Sequence, residues 1–274
     1  MQVFTTTKSL TTYRQSQAVI TGFVPTMGAL HSGHLALIAE SKAQNEQTIC
    51  SIFVNPTQFN EARDFDRYPR QLDADSRMLE DAGCDVLFAP GVEEIYPQRD
   101  GVAYEFGTLT SILEGRHRPG HFSGVASVVR RLLEITQPDN AYFGLKDYQQ
   151  YLVVKALVKR YEIPTTIIGF PTVREESGLA KSSRNVLLSP TAIDKATALH
   201  RALTHVKDNY EFENLAILEK QAKALVADFG FSVDYFRIVG GDDLTELKTP
   251  QQSAVALVAA RIEGVRLIDN MKLN

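Results

Sequence analysis

The chain has 274 residues, 44% of them hydrophobic and 23% charged, with a net charge of −4 and a sequence pI of about 5.9. That length supports one large domain or two smaller ones, and the composition is that of a globular chain rather than a disordered one. The acidic balance excludes a broad footprint on nucleic acid or anionic membrane, so a polyanion would have to be bound locally. No apolar run is long enough to cross a bilayer, and the stretch Met1 to Ser16 lacks the apolar core of a secretory signal. Cys50 and Cys84 fit neither a disulfide framework nor a zinc spacing, and read as buried thiols of a reducing cytoplasm.

Taken in order, the apolar run Val19 to Val24 predicts a strand that enters a glycine loop, Pro25 to His34 (PTMGALHSGH), with a helix following over Leu35 to Gln44. The first turn of a helix offers unpaired N–H groups and a positive dipole end, a seat for phosphate. Gly28 and Gly33 allow close backbone approach, and His31 and His34 can each present a ring N–H to a phosphate oxygen or a leaving group. Two surface histidines capping a helix are the alternative.

Thr48 to Val54 reads as a parallel strand buried on both faces, ended by the polar run Asn55-Pro56-Thr57-Gln58-Phe59. Ligands of open parallel sheets sit beyond the carboxyl ends of the strands, so two consecutive strand ends here carry polar residues where a ligand would be met. A charged helix is expected from Pro69 to Leu79. Its Asp73 and Asp75 either bind magnesium or form a solvated face, the commoner arrangement. Strands are expected over Asp85 to Pro90 and Val102 to Gly107. The cation-rich and glycine-rich stretch Glu114 to Phe122 (EGRHRPGHF) reads as a loop, either facing an anionic substrate or exposed as a basic turn.

An amphipathic helix over Val125 to Ile135 precedes a strand at Asn140 to Phe143, after which Gly144-Leu145-Lys146-Asp147 opens a helix running toward Tyr161. Lys146 suits a phosphate and Asp147 a ribose hydroxyl, unless Asp147 merely caps the helix with Lys146 in solvent. Thr165 to Phe170 is a further strand. Val173 to Asn185 lacks apolar periodicity and reads as a loop, in which Lys181, Ser182, Ser183 and Arg184 either clamp a polyphosphate or belong to a polar linker. Beyond Ser189-Pro190 come helices over Thr191 to Asn209 and Leu215 to Phe229, then strands over Val233 to Val239, Ala254 to Ile262 and Val265 to Asp269. Helices followed by strands predict a separate, mostly antiparallel α+β unit. The fold class is therefore α/β, a Rossmann-like parallel-sheet nucleotide-binding domain over 1–175 with a smaller C-terminal α+β domain over 176–274. The boundary falls near Val173 to Pro190.

The stretches PTMGALHSGH, SIFVNPTQF, YFGLKDYQQ and REESGLAKSSRN, with YPRQLDAD, EGRHRPGHFSGV and the terminal RLIDN, together resemble the pantothenate synthetase family, the pantoate–beta-alanine ligases. This family sits within the nucleotidyltransferases that carry a histidine–glycine–histidine signature. The resemblance implies that Met27, Gly28, Ala29, Leu30, His31, Ser32, Gly33 and His34 line ATP, with His34 as proton donor and His31 and Lys146 assisting. It likewise implies ATP contacts from Gly144, Leu145, Lys146, Asp147, Lys181, Ser182, Ser183 and Arg184, with Val173 beside the adenine. Gln58 and Gln150 match the glutamines that hold pantoate, and Gln58 the one also placed near beta-alanine. The implied substrates are ATP with Mg2+, pantoate and beta-alanine, and the implied assembly is a cytoplasmic homodimer whose metal ligands are not identified. Ser32, Ser177 and Lys181 depart from the family's common glutamate, aspartate and apolar residue at those places.

Such a ligase first joins the pantoate carboxylate to the α-phosphorus of ATP, giving pantoyl adenylate and pyrophosphate; the beta-alanine amine then displaces AMP. Negative charge develops on phosphate oxygens, which the histidines, Lys146, the paired serines and Arg184 would stabilise without a covalent enzyme nucleophile. The stretch Val173 to Asn185 or the C-terminal unit is the expected lid over the adenylate. Two other readings are an adenylyltransferase acting on a phosphate-bearing acceptor, and a nucleotide-binding module without catalysis.

Overall fold

A computed structural model describes residues 1–60, 62–98 and 102–274. Six parallel strands form one sheet: β1 (Gln2–Phe4), β2 (Thr21–Thr26), β3 (Gln47–Ile52), β4 (Val86–Phe88), β5 (Asn140–Gly144) and β6 (Thr166–Phe170), in the order β1-β4-β3-β2-β5-β6. Successive side chains of a strand point to opposite faces, and here both faces are apolar. Phe23, Ile49, Val86 and Ala141 face a core that includes Leu10, Val125, Leu132, Val154 and Leu157, whereas their neighbours Val24, Cys50, Leu87 and Tyr142 face Leu37, Ile38 and Leu79. Helices therefore cover both sides. Thr7–Gln15, His121–Thr136 and Tyr148–Arg160 serve the first face, and Ser32–Gln44 and Leu72–Asp81 the second. Each fully buried Val, Leu, Ile or Phe among them contributes about 1.5–3 kcal/mol, which is why the alternation specifies the layers.

The second sheet is antiparallel, β7 (Ser232–Gly240), β8 (Ala254–Ile262) and β9 (Val265–Lys272) in sequential order. Leu199, Leu203 and Val206 of the helix Pro190–Asp208, with Leu218, Ala222 and Val226 of Leu215–Asp228, pack with Phe236 and Ile238 of β7 and with the alternate residues Ala256, Val258 and Ala260 of β8. Contacts divide the chain into Met1–Leu145 with Gln150–Pro171, and Lys146–Gln149 with Thr172–Asn274, where the sequence had set the boundary at 175/176.

The structure corrects several sequence expectations. Val102 to Phe106 is not a strand; Tyr104 is buried in the core and Gly107, at φ 59°, caps a short helix, Thr108–Ser111. Glu114 to Phe122 is a loop only at 118–120, since Glu114–His117 is helical and His121 already opens the long helix after Gly120 at φ 82°. β1 and the helix Thr7–Gln15 had no counterpart in the sequence reading. The second helix begins at Ser32, so Ser32, Gly33 and His34 belong to it rather than to the loop, and His31 is its N-cap.

Both thiols are free and buried. Burial pushes the Cys50 thiol well above its ordinary range and that of Cys84 up to about 11, so both are protonated and unreactive near neutral pH.

Candidate active site

In the parallel sheet the strand sequence runs outward from β2 through β3 to β4 on one side and from β5 to β6 on the other, so the order reverses between β2 and β5. A crevice at the carboxyl ends of such strands is where open α/β sheets bind ligands. The histidine loop leaves β2 there, and Gly144-Leu145 leaves β5.

The loop is held from below. Thr26 Oγ1 donates to the Ser51 carbonyl (2.7 Å) and accepts from the Gly28 N–H (3.2 Å). Gly28 lies at φ 78° and an added Cβ would meet Asp75 Oδ2 at 2.9 Å, so glycine is required twice over. Asp75 has no exposed surface, and its two oxygens accept the Ala29 N–H (2.8 Å) and the Leu30 N–H (2.9 Å). Ala29 itself sits at φ 51°, a left-handed conformation that this pair of bonds sustains. Neither sequence reading of Asp75 holds: it is neither on a solvated face nor aimed outward at a metal, while Asp73 is exposed. The available signal was its place in YPRQLDAD, although which backbone it meets is decided only by folding.

The two histidines close the helix N-terminus chemically. His31 Nδ1 accepts the Gly33 N–H (3.1 Å), and His34 Nδ1 accepts the His31 N–H (3.3 Å), a reciprocal capping box built from imidazoles. A ring nitrogen that accepts carries no proton, so each ring is neutral and holds its proton on Nε2. The rings lie 4.0 Å apart between centroids, tilted by 34°. The backbone donors at 31 and 33 are thus occupied by the cap. The cap fixes which nitrogen of each neighbouring ring, Nε2, carries the proton.

Gln58 joins the same neighbourhood. Its residue is 9% exposed at the end of the turn Pro56–Gln58, and its Nε2 lies 3.0 Å from Met27 Sδ. Asn55, 1% exposed, donates from Nδ2 to Gln58 Oε1 (3.0 Å) and to the Gly124 carbonyl (3.1 Å). Asn55 Oδ1 in turn accepts from the Thr57 N–H and from the Tyr96 hydroxyl (3.0 Å). Asn55 therefore fixes which way the Gln58 amide faces. The sequence places Asn55 in a polar strand end and His121 in a cation-rich stretch but gives neither a role of its own; the close passage of the helix His121–Thr136 supplies it. At Gly124 an added Cβ would lie 2.4 Å from the Thr57 carbonyl oxygen. Gln150 lies half-buried within Tyr148–Arg160.

The second unit carries Lys146, Asp147, Val173 and Lys181 to Arg184. Lys146 Nζ lies 3.9 Å from Asp147 Oδ2, and the Lys146 carbonyl accepts from Asn270 Nδ2 (2.8 Å). Arg174 pairs with Asp269 through both guanidinium nitrogens (2.6 and 2.9 Å) and also donates to the Gly178 carbonyl, closing the turn before the paired serines. Ser182 Oγ accepts the Arg184 N–H at 3.3 Å. Lys181 forms an ion pair with Glu175, so this departure from the family is partly exposed but not isolated.

A family model of pantoate-beta-alanine ligase matches residues 2–272. The chain belongs to this family. The pantothenate synthetase of Thermus thermophilus is 47% identical over 255 residues, 92% of each chain, and that of Cytophaga hutchinsonii is 46% identical over 255 residues, 91% of this chain and 90% of its own. A crystal structure of the Thermus thermophilus pantothenate synthetase matches with a TM-score of 0.92 at 44% identity, covering 100% of this chain and 99% of that one. That of the Francisella tularensis pantoate-beta-alanine ligase, complexed with beta-gamma ATP and beta-alanine, matches with a TM-score of 0.84 at 40% identity over 100% and 98%. The family assignment favours the pantoate-beta-alanine ligase reading over transfer to a phosphate-bearing acceptor, and establishes the chain as an enzyme by kinship rather than a binding module. The α/β architecture, with its six-stranded parallel sheet and small antiparallel sheet, is likewise that of these structures.

Proposed function

We propose that this chain condenses pantoate with beta-alanine, consuming ATP and releasing AMP and pyrophosphate through pantoyl adenylate. The observation that carries this reading is the two imidazoles oriented by the helix cap and the fixed amide of Gln58 beside Met27 of the same loop, which leaves β2 at the reversal point of the parallel sheet. The imidazoles suit an ATP phosphate as charge accumulates on its oxygens, and because the cap prepositions them no reorganisation is needed at the moment of reaction. His34 is the proton donor and His31 its partner. A neutral amide suits a hydroxy acid, since it bonds hydroxyls without placing a charge beside the reacting carboxylate.

Met27, Gly28 and the rest of the histidine loop, Gly144 to Asp147, Val173 and Lys181 to Arg184 hold ATP in this reading. Gln58 and Gln150 hold pantoate, with Gln58 also near beta-alanine, and 176–274 acts as the lid domain. Lys146 acts as a mobile point charge on the phosphates. Magnesium enters with ATP as part of that substrate, and Asp75 is committed to backbone N–H groups. A homodimer in the cytoplasm completes the reading, supported by the family resemblance.

The deciding experiment measures pyrophosphate release from ATP and magnesium with pantoate present and beta-alanine absent, then adds beta-alanine and assays pantothenate. A pantoate-dependent burst that becomes continuous turnover is expected. Pyrophosphate release that ignores pantoate but responds to a phosphorylated acceptor would overturn the reading.

A further inference from the structure

His121 is 6% exposed and touches the backbone of Gln58. Its Nδ1 lies 2.9 Å from the Gln58 carbonyl oxygen and its Nε2 3.0 Å from Arg118 Nη1. A guanidinium can only donate and a carbonyl can only accept, so one protonation state satisfies both bonds: a neutral ring with its proton on Nδ1. Arg118 Nη1 is itself 4.0 Å from Glu114, whose side chain is 7% exposed. A chain of contacts therefore runs from the Glu114 carboxylate through Arg118 and His121 to the Gln58 backbone. The other end of Gln58 is held by Asn55, which takes up Oε1 and leaves Nε2 directed at Met27.

From this geometry we infer that His121 is a positioning residue for the pantoate step. Through its Nδ1–H it sets the Gln58 backbone so that the amide is presented beside the histidine loop, and Arg118 holds the required tautomer. His121 acts through Gln58 and need not touch substrate. The inference rests on the reading of Gln58 as a pantoate contact.

The test is steady-state kinetics on His121→Phe, His121→Asn and His121→Gln beside the unchanged protein. The phenylalanine keeps the ring's shape and removes both bonds; pantoate KM should rise on the order of fivefold to tenfold while ATP KM stays within about twofold. The asparagine amide nitrogen reaches the place of Nδ1 and can still donate to the Gln58 carbonyl, so it should restore most of the pantoate affinity. The glutamine nitrogen falls nearer the place of Nε2, so it should not. If the phenylalanine variant does not fold, the asparagine and glutamine pair decides. A merely structural role would move ATP and pantoate KM together, or impair all variants alike, and either result overturns the inference. Unchanged pantoate KM in an active Phe variant does so too. If the unchanged protein releases no pantoate-dependent pyrophosphate, the functional reading itself fails and takes this inference with it.

Discussion

The buried carboxylate of Asp75 shows how much one side chain can decide. It accepts two consecutive N–H groups from a loop whose Gly28 and Ala29 both lie at positive φ, and it does so with no exposed surface of its own. Replacing one oxygen by an amide NH2, as in Asp75→Asn, turns an acceptor into a donor that faces a donor. Hydrogen bonds to a charged group are worth about 1.5–3 kcal/mol each, so the variant should lose about 2–3 kcal/mol of stability to denaturant. Because the same bonds set the histidine loop, kcat/KM for ATP should fall more than tenfold. Unaltered ATP kinetics in a destabilised protein would show that the loop keeps its shape without Asp75. The histidines of the loop were legible in the sequence as donors; their tautomers were not, because the tautomer depends on which backbone N–H each Nδ1 meets once the helix has begun at Ser32.

Between elements, the decisive contact is the approach of the helix His121–Thr136 to the turn Pro56–Gln58 at Gly124. Two effects compete in Gly124→Ala. Alanine improves helix propensity by about 1 kcal/mol, whereas a methyl group placed 2.4 Å from a carbonyl oxygen forces the helix or the turn to move, at a cost of about 1–3 kcal/mol. The clash is with backbone, which cannot swing aside as a side-chain tip can, so the net change should be a loss. Since the displaced turn carries Gln58, pantoate KM should rise several-fold with ATP KM little changed; thermal unfolding and kinetics on the one variant check both. The sequence marked the helix from its apolar face at Val125, Val129 and Leu132 but began it too late. Glycines and basic residues at 115–121 signal a loop locally, while the burial of Glu114 and His121 and their mutual link through Arg118 make that stretch mostly helical.

At the scale of the whole molecule, the parallel sheet has an apolar cluster on each face and the antiparallel sheet a third of its own, so a lesion in one unit should be felt there first. Asp269 is 3% exposed at the side chain and pairs with Arg174, which is 18% exposed and also holds the carbonyls of Gly178 and Asn270. Asp269→Ala leaves that guanidinium largely buried without its carboxylate, a loss of about 3 kcal/mol. Hydrogen exchange should quicken in 172–274, including the turn ahead of Ser182, well before it does in the strands of the parallel sheet. Equal loss of protection in both units would show that they unfold as one.

The sequence by itself determined the layers, the order of most strands and helices, the glycine loop with its histidines, and the family. Strands buried on both faces and helices with one apolar face bury their surface in essentially one arrangement, and these patterns are local. Only the tertiary structure decided what Asp75, Asn55 and His121 do, where 102–106 goes, and which backbone donors at the helix start the cap takes up. Those outcomes depend on partners distant in the chain, such as Asp75 for Ala29 or His121 for Gln58, and a hydrogen bond between distant residues exists only once folding has brought donor and acceptor within reach.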